Sequence, residues 1–452
     1  MGESAVKKIE DALPLHETKR RPGWKLYVSL PVLSWALYDF ANTIFSSNVN
    51  TIFFPLYVSE TVGKSESLNQ IASTFISYAN ALASFFLVLF SPLYGTWIDR
   101  TGRRKKWLGI FTTLSVAATL LMGVAGYSNH GNFIFGLPVS FVITVLLFVA
   151  AKFFYHSSLV FYDSMISSLG NKQEIPLISG FGVAVGYVGT LVGLAVYPFV
   201  GEKDYYRAFI PSALLFLLFS LPLFFFVKEE GEKAAALKRK AGFFAGYRDI
   251  YATLKEMKKY QNIFTFMIAY FFLNDAVATT IAIMSVYAKA IAGFTAGEFI
   301  LLYLVSTVSS IIGSFLFGYI TRNKGAKKAV LYVGIMMCIA LAIGALAFSK
   351  LSLWIAGSLF GVSLGAMWVT SRTYIVELSP QDKQGQFFGL FAFSGKVSAI
   401  IGPAVYGSIT LLLHSYGNIA NRLAMGSLLL MVLLGIFFLR KVKPQASAEP
   451  ES

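Results

Sequence analysis

The chain has 452 residues, 56% of them hydrophobic and 13% charged, with a mean hydropathy of +0.64. A soluble globular domain carries about 25% charged residues, so this composition excludes one. The net charge of +15 would suit a nucleic-acid partner, but it sits between long apolar runs and excludes that reading; the lone Cys338 leaves no disulfide framework or cysteine metal site.

Residues 1–29 are polar and of mixed sign, with Lys7, Lys8, Glu10, Asp11, Lys19, Arg20 and Arg21. The apolar run behind them is too long for a signal-peptide core, so this segment is expected to be a retained cytoplasmic tail. A hydrocarbon layer of about 30 Å takes about 20 apolar residues per helix. Twelve such runs follow, at 30–57, 71–96, 107–127, 138–167, 177–200, 208–227, 262–288, 299–320, 329–348, 352–376, 386–412 and 423–439. The polar stretch 228–261 divides them into bundles at 30–227 and 262–439, with a C-terminal tail at 440–452. Within that stretch Phe243, Tyr247, Ile250, Leu254 and Met257 recur at helical spacing among Arg248, Lys255, Lys258 and Lys259. They describe an amphipathic helix on the inner leaflet or, on the same pattern, a linker packed on the bundle. Numbered from an inside start, the inward segments hold 29 lysines and arginines and the outward ones 6. Positive charge stays in the cytoplasm, so both termini are expected there.

The halves repeat. Leu37-Tyr38-Asp39-Phe40-Ala41-Asn42-Thr43 in helix 1 and Leu273-Asn274-Asp275-Ala276-Val277-Ala278-Thr279 in helix 7 both spell L-x-D-x-x-x-T. After helix 2, Gly95 and Gly102 stand seven residues apart before Arg103-Arg104-Lys105-Lys106; after helix 8, Gly318 and Gly325 keep that step before Lys327-Lys328. Duplication into six-plus-six halves is the expectation.

The segment from Gly95 to Lys106 resembles the G-x-L-A-D-R-x-G-R-K loop of the major facilitator superfamily, with Trp97-Ile98 in place of Leu-Ala. That resemblance implies an all-α integral membrane fold, twelve helices in two pseudo-symmetric six-helix bundles, with helices 1, 4, 7 and 10 lining a central pathway. It also implies an inner-gate latch at Asp99, Arg100 and Arg103, turning at Gly102; the alternative role is a topology anchor. Trp35 to Asn42, Ser179-Gly180-Phe181-Gly182 through Gly186-Tyr187, Asn274-Asp275, Ser371-Arg372 and Phe387 through Lys396 to Gly402-Pro403 resemble the vacuolar amino-acid effluxer branch and its bacterial relatives. The chain departs from that branch at Tyr162-Asp163, where Tyr-Asn is usual.

Six charged residues fall inside spans: Asp39, Lys152, Asp163, Asp275, Arg372 and Lys396. Each costs about 2.5–3.5 kcal/mol at mid-bilayer, roughly 15–20 kcal/mol together, so they must face a wet cavity or one another. Lys152, His156 and Asp163 lie within about 40° on helix 4, while Asp39, Asn42 and Ser46 make a second stripe. Asp39 and Asp275 are candidates for proton coupling or amine binding, since a carboxylate taken out of water holds its proton more readily; a structural pair with Lys152, Arg372 or Lys396 is the alternative. Those three bases would bind an anion or neutralise the acids, and His156 is either a titrating group or a hydrogen-bonded filler. Asn42 and Asn274 complete the candidate substrate or coupling set, and Asp163, near the inner end, is expected to be structural. Gly182, Gly186, Gly189 and Gly193 are expected to form a sliding face for bundle rocking. Gly402-Pro403 points to a kink in helix 11, and the many aromatics to bulk against lipid.

Catalysis finds no footing. A Walker loop and a metal cluster are both missing from the sequence, and the G-x-S-x-G of Gly361 to Gly365 lies inside helix 10, where a nucleophile elbow cannot form. No cofactor and no metal are expected. The expected function is a secondary active transporter in the inner or plasma membrane that moves a small polar solute by alternating access, with proton coupling. The balance of three bases and three acids favours a zwitterionic or neutral solute such as an amino acid. Its partners are then a small-molecule substrate, a proton and the bilayer, and the chain is expected to be a monomer. Competing readings are a non-transporting receptor or docking protein on a transporter scaffold, and a channel.

Overall fold

The computed structural model describes residues 23–62, 66–128, 133–134, 137–200, 204–229, 248, 251, 255 and 259–443. The apolar stripe of the 228–261 connection (Phe243, Tyr247, Ile250, Leu254, Met257) lies outside the described residues, as do residues 1–22 and 444–452.

After a short helix at Gly23–Tyr27, twelve long helical elements follow, α1 to α12. The first, α1, starts as Leu30–Ile44 with a proline in its opening turn, widens into a π-helical stretch Phe45–Phe53 and closes as Phe54–Val62. The next five are α2 Glu66–Thr101, α3 Arg104–Tyr127, α4 Val139–Met165, α5 Ile175–Leu194 and α6 Phe209–Phe226. The second half is α7 Gln261–Ala292, α8 Ala296–Lys324, α9 Ala326–Ala345, α10 Lys350–Leu378, α11 Gln384–Leu412 and α12 Asn418–Lys441. Among the described residues eleven of these are long and apolar enough to cross a membrane, and α1 runs helical from Leu30 to Val62 ahead of them. Outward-facing Leu146, Leu218, Ile312, Ile339 and Leu430 are exposed, as side chains solvated by lipid must be.

Helix ends overrun the predicted spans, since hydropathy marks the hydrocarbon layer while hydrogen-bonded backbone continues into the interface. The predicted span 177–200 is two pieces: α5 stops at Leu194 and a separate turn covers Tyr197–Val200. A two-residue hairpin pairs Phe133 with Pro138 and Ile134 with Leu137 between α3 and α4, which periodicity does not reveal. The aromatics correct another expectation. The bulkiest fully buried side chains include Trp35, Tyr38, Tyr162, Phe45, Phe54, Phe148 and Phe161, so part of the aromatic content is the core of the first bundle. Phe54 and Phe148 stack face to face there, and Tyr38 and Tyr162 stack at 4.9 Å.

The pseudo-two-fold is visible in packing. In the first bundle α1 packs on α5 and α6, α4 on α2 and α3; in the second α7 packs on α11 and α12, α10 on α8 and α9. Between bundles the matching pairs are α2 with α11 and α5 with α8. At each crossing a small residue meets backbone. A Cβ on Gly180 would lie 2.7 Å from the Ser314 carbonyl oxygen, and one on Gly389 would lie 2.6 Å from that of Ser91. Ser91 and Gly95 correspond to Ser314 and Gly318 in the repeat, so both crossings use the same device. The bundles are thus shut against each other at the end that carries the termini. Here Tyr27 stacks on Phe181 of α5 at 4.8 Å and reaches the Tyr319 hydroxyl of α8 at 3.2 Å, strapping the seam from outside. Gly102 and Gly325, at φ 62° and 82°, turn the chain after α2 and α8 in a conformation open to glycine.

The glycine face of α5 does not slide against the other bundle. Gly182 accommodates the Trp35 ring, Gly186 lies beside Asp39 and Thr43, and Gly189 lies on the Phe40 backbone, all on α1 of the same bundle. Likewise Gly361 and Gly365 of the G-x-S-x-G string pack on Ser306 and Ser310 of α8, as a small packing face.

Candidate functional site between the two bundles

Five of the six intramembrane charges meet where the bundles face each other. Arg372 on α10 reaches into the first bundle, with Nη2 2.9 Å from Asp163 Oδ1 on α4 and Nη1 3.9 Å from Asp39 Oδ2 on α1. These are charge contacts: Asp163 Oδ1 and Arg372 Nη1 form no hydrogen bond. The guanidinium carbon also lies 5.3 Å from the Trp35 ring and 5.8 Å from the Tyr162 ring, within cation–π range. Those two rings stack at 4.7 Å and are cross-braced, the Trp35 Nε1–H donating to the Tyr162 carbonyl and the Tyr162 hydroxyl to the Trp35 carbonyl. Asp163, expected to be structural, is therefore the nearest counter-charge of Arg372. Its side chain is 29% exposed, against 12% for Asp39 and 10% for Arg372.

Asn42 Nδ2 donates to Asp39 Oδ1 at 2.9 Å, which orients the carboxylate toward Arg372. The stripe expected to continue to Ser46 is rephased, because the π-helical stretch begins at Phe45. Widened turns of this kind concentrate at functional sites. Here the widening carries Asn50, which accepts from Lys152 Nζ at 2.7 Å. Asn80 of α2 is the second acceptor of the same ammonium. Sequence reasoning missed both amides; the sign of them was an asparagine amid apolar residues in helices 1 and 2. One turn along α4, His156 meets Lys396 of α11, with Nδ1 3.1 Å from Nζ, so this contact also joins the bundles.

Asp275 is the sixth charge and stands apart. It is fully buried within the second bundle, where Oδ1 accepts from the Gly402 amide of α11 at 2.7 Å and Oδ2 has no hydrogen-bond partner. It pairs with none of Lys152, Arg372 or Lys396 among the described residues. The repeat is nonetheless kept in three dimensions. Asp39 and Thr43 lie against Gly186 of α5, as Asp275 and Thr279 lie against Gly402 of α11. Asn274 donates to the Gly395 carbonyl and to Ser398, both at 2.8 Å, and so fixes α7 to α11 beside Lys396. α11 continues as helix through Pro403.

Among the gating candidates, Asp99 spans the bundles. Its Oδ1 accepts from the Gly385 amide and its Oδ2 from the Gln386 amide, both at 2.7 Å, so the carboxylate caps the start of α11, where the helix dipole favours negative charge. Gly102 makes the turn after it, and Arg103 leads into α3. Arg100 ends α2 near the same seam. Arg104 donates to the Ser164 carbonyl at 2.9 Å and ties this loop to α4. Cavities of about 270 and 310 Å³ open beside the two crossings, the first lined by Lys172, Arg322 and Glu377, the second by Arg104, Glu229 and Gln384; neither reaches the central charges.

Residues 170–449 match the family described as Vacuole effluxer Atg22 like. The chain belongs to that family. It is 25% identical over 429 residues to the MFS-type transporter YxiO of Bacillus subtilis, covering 92% of this chain and 95% of the relative. Autophagy-related protein 22 of Saccharomyces cerevisiae is 23% identical over 422 residues, covering 82% and 78% of the two chains. Among solved structures, a bacterial homologue of the iron transporter ferroportin in an outward-facing state superposes with a TM-score of 0.67 at 15% identity, over 94% of this chain and 99% of that one. The proton:xylose symporter XylE superposes at 0.66 and 16% identity, over 93% and 96%. The fold is thus the major facilitator fold. This Atg22-like protein is a multi-pass membrane transporter, not an enzyme.

Proposed function

We propose that this Atg22-like protein moves a small polar solute, an amino acid in the first instance, by proton-coupled alternating access across the inner or plasma membrane, with both termini cytoplasmic. The observation that carries the reading is the cluster at Arg372. One guanidinium from the second bundle faces two carboxylates of the first, and Arg372 Nη1 and Asp163 Oδ1 form no hydrogen bond. Such a cluster holds the bundles together yet dissolves when its charges are redistributed. One carboxylate balances the guanidinium; a proton balances the other, and its arrival or loss changes what Arg372 can hold. Asp275, buried with one oxygen unpartnered, is a second carrier in the repeat-related position. With the lysine-rich segments in the cytoplasm, the closed end faces inward and the state is outward-facing.

The test is flux of radiolabelled amino acids into proteoliposomes of the full chain under an imposed pH gradient. Wild type should accumulate solute when the gradient is applied and lose the acceleration in Asp39→Asn. Flux that ignores the gradient in both would refute proton coupling and leave the carrier assignment standing.

A further inference from the structure

We propose that Lys152, His156 and Lys396 form an oxyanion site, and that the solute carries a carboxylate or phosphate group that seats there. The inference rests on the transport reading and names the chemistry of what is carried.

The acids and the lysines of the cleft are segregated. Asp39 and Asp163 face Arg372, and Asp275 is turned to the Gly402 amide. Among the described residues no carboxylate lies within ion-pair distance of Lys152 or Lys396. The carboxylate whose charge reaches Lys396, that of Asp163, sits 2.9 Å from Arg372. Lys152 is held by the amide oxygens of Asn50 and Asn80, which orient an ammonium without neutralising it. Lys396 makes its contact with an imidazole. Its Nζ lies 3.1 Å from Nδ1 and 3.4 Å from Nε2, so a protonated Lys396 meets both ring nitrogens and keeps His156 neutral.

Two ammonium groups with no counter-anion among the described residues, one of them beside a neutral imidazole, are a receptor for an oxyanion. The three come from both sides of the cleft, Lys152 and His156 from α4 and Lys396 from α11. An anion between them therefore contacts both bundles at once, and its binding energy differs between states in which the bundles are apart or together. Lys152 is nearly buried, while His156 and Lys396 keep a part-exposed face through which a solute group can enter.

The test uses the detergent-purified full chain and thermal unfolding against matched pairs: N-acetylleucine with N-acetylleucinamide, succinate with succinamide, glycerol 3-phosphate with glycerol. At least one acid should raise Tm by mass action while its uncharged partner does not, and the pair that responds tells carboxylate from phosphate. Lys152→Gln and Lys396→Gln should each raise the half-saturating concentration at least about tenfold, and Lys396→Arg less than about threefold. Equal protection by an acid and its uncharged partner overturns the site. So does an absence of protection by every acid up to about 10 mM, or unchanged affinity in both glutamine variants. Counterflow of the protecting acid in proteoliposomes separates the two claims. Acid-selective protection without counterflow keeps the anion site and sinks the transport reading, whereas counterflow of an uncharged solute with no acid protecting does the reverse.

Discussion

Arg372 is held by unequal partners, and the inequality makes a prediction. Asp163 is 2.9 Å away and Asp39 3.9 Å, so the nearer acid dominates the cross-bundle attraction even though it is the more exposed of the two. Removing one member of such a pair costs about 2 kcal/mol after allowance for partial exposure, or roughly thirtyfold in an equilibrium. Asp163→Asn should open the terminal end by that factor, and Asp39→Asn by clearly less. A reporter is available in Ser179→Cys on a Cys338→Ala background, since Ser179 is fully buried in the α5–α10 seam with its hydroxyl 3.4 Å from the Val369 carbonyl. Its rate of modification by a membrane-impermeant maleimide should rise in the order wild type, Asp39→Asn, Asp163→Asn. Equal rates for the two variants would mean that distance to Arg372 does not set the latch. At this scale the sequence supplied all six charges, because a charge in a hydrocarbon span stands out on cost alone. What it withheld was pairing. Asp163 lies closer to Arg372 than Asp39 does, and Asp275 pairs with none of the three bases, because pairing depends on which helix faces face each other, and one helix's periodicity carries no record of that.

The elements show how tightly small residues control the seam. A Cβ added at Gly180 or Gly389 would press on backbone carbonyl oxygen of the opposite bundle at 2.7 and 2.6 Å, and backbone cannot rotate away as a side chain does. Gly180→Ala and Gly389→Ala should therefore push the terminal end apart, at about 1–3 kcal/mol each, and by similar amounts because the crossings are repeat-related. Gly407→Ala, where nothing lies within 4 Å, is the control and should leave maleimide access at Ser179→Cys unchanged. Should Gly180→Ala open the seam and Gly389→Ala not, the two crossings would not be equivalent hinges. Legibility differed among these glycines for a physical reason. Glycine at helical spacing announces close approach, but not to what: Gly182, Gly186 and Gly189 serve α1 in their own bundle, and Gly180, outside that stripe, serves the moving seam. The π-helical stretch in α1 was not legible either: Phe45–Phe53 carries Ser46, Ser47, Asn48, Asn50 and Thr51, but polar residues within a span do not say that the turn widens.

For the whole molecule, the order of the spans was legible, eleven of them answering to helices long and apolar enough to cross, because lipid demands a length and an apolar composition of every crossing. The repeat was legible because two strings kept their spacing, and the structure places both in equivalent packing. Asp99 is a second tie between the bundles, in addition to the Arg372 cluster. Its carboxylate bonds two amides at the start of α11, and hydrogen bonds to a charged group contribute about 1.5–3 kcal/mol each. The repeat-related residue, in the last turn of α8, is Arg322, which cannot accept those bonds, so among the described residues this tie belongs to the α2–α11 crossing. Asp99→Ala should then shift the balance between bundles by about 3 kcal/mol, roughly a hundredfold, toward the state open at the terminal end. Distances between spin labels placed on α2 and α11 should lengthen there, while insertion and topology of the variant stay the same. If topology inverts and the distance distribution does not move, Asp99 anchors the loop to one side of the membrane and does not latch it. If the distances lengthen with topology intact, the carboxylate is the clasp, and the basic residues that follow it have the separate task of holding the loop inside.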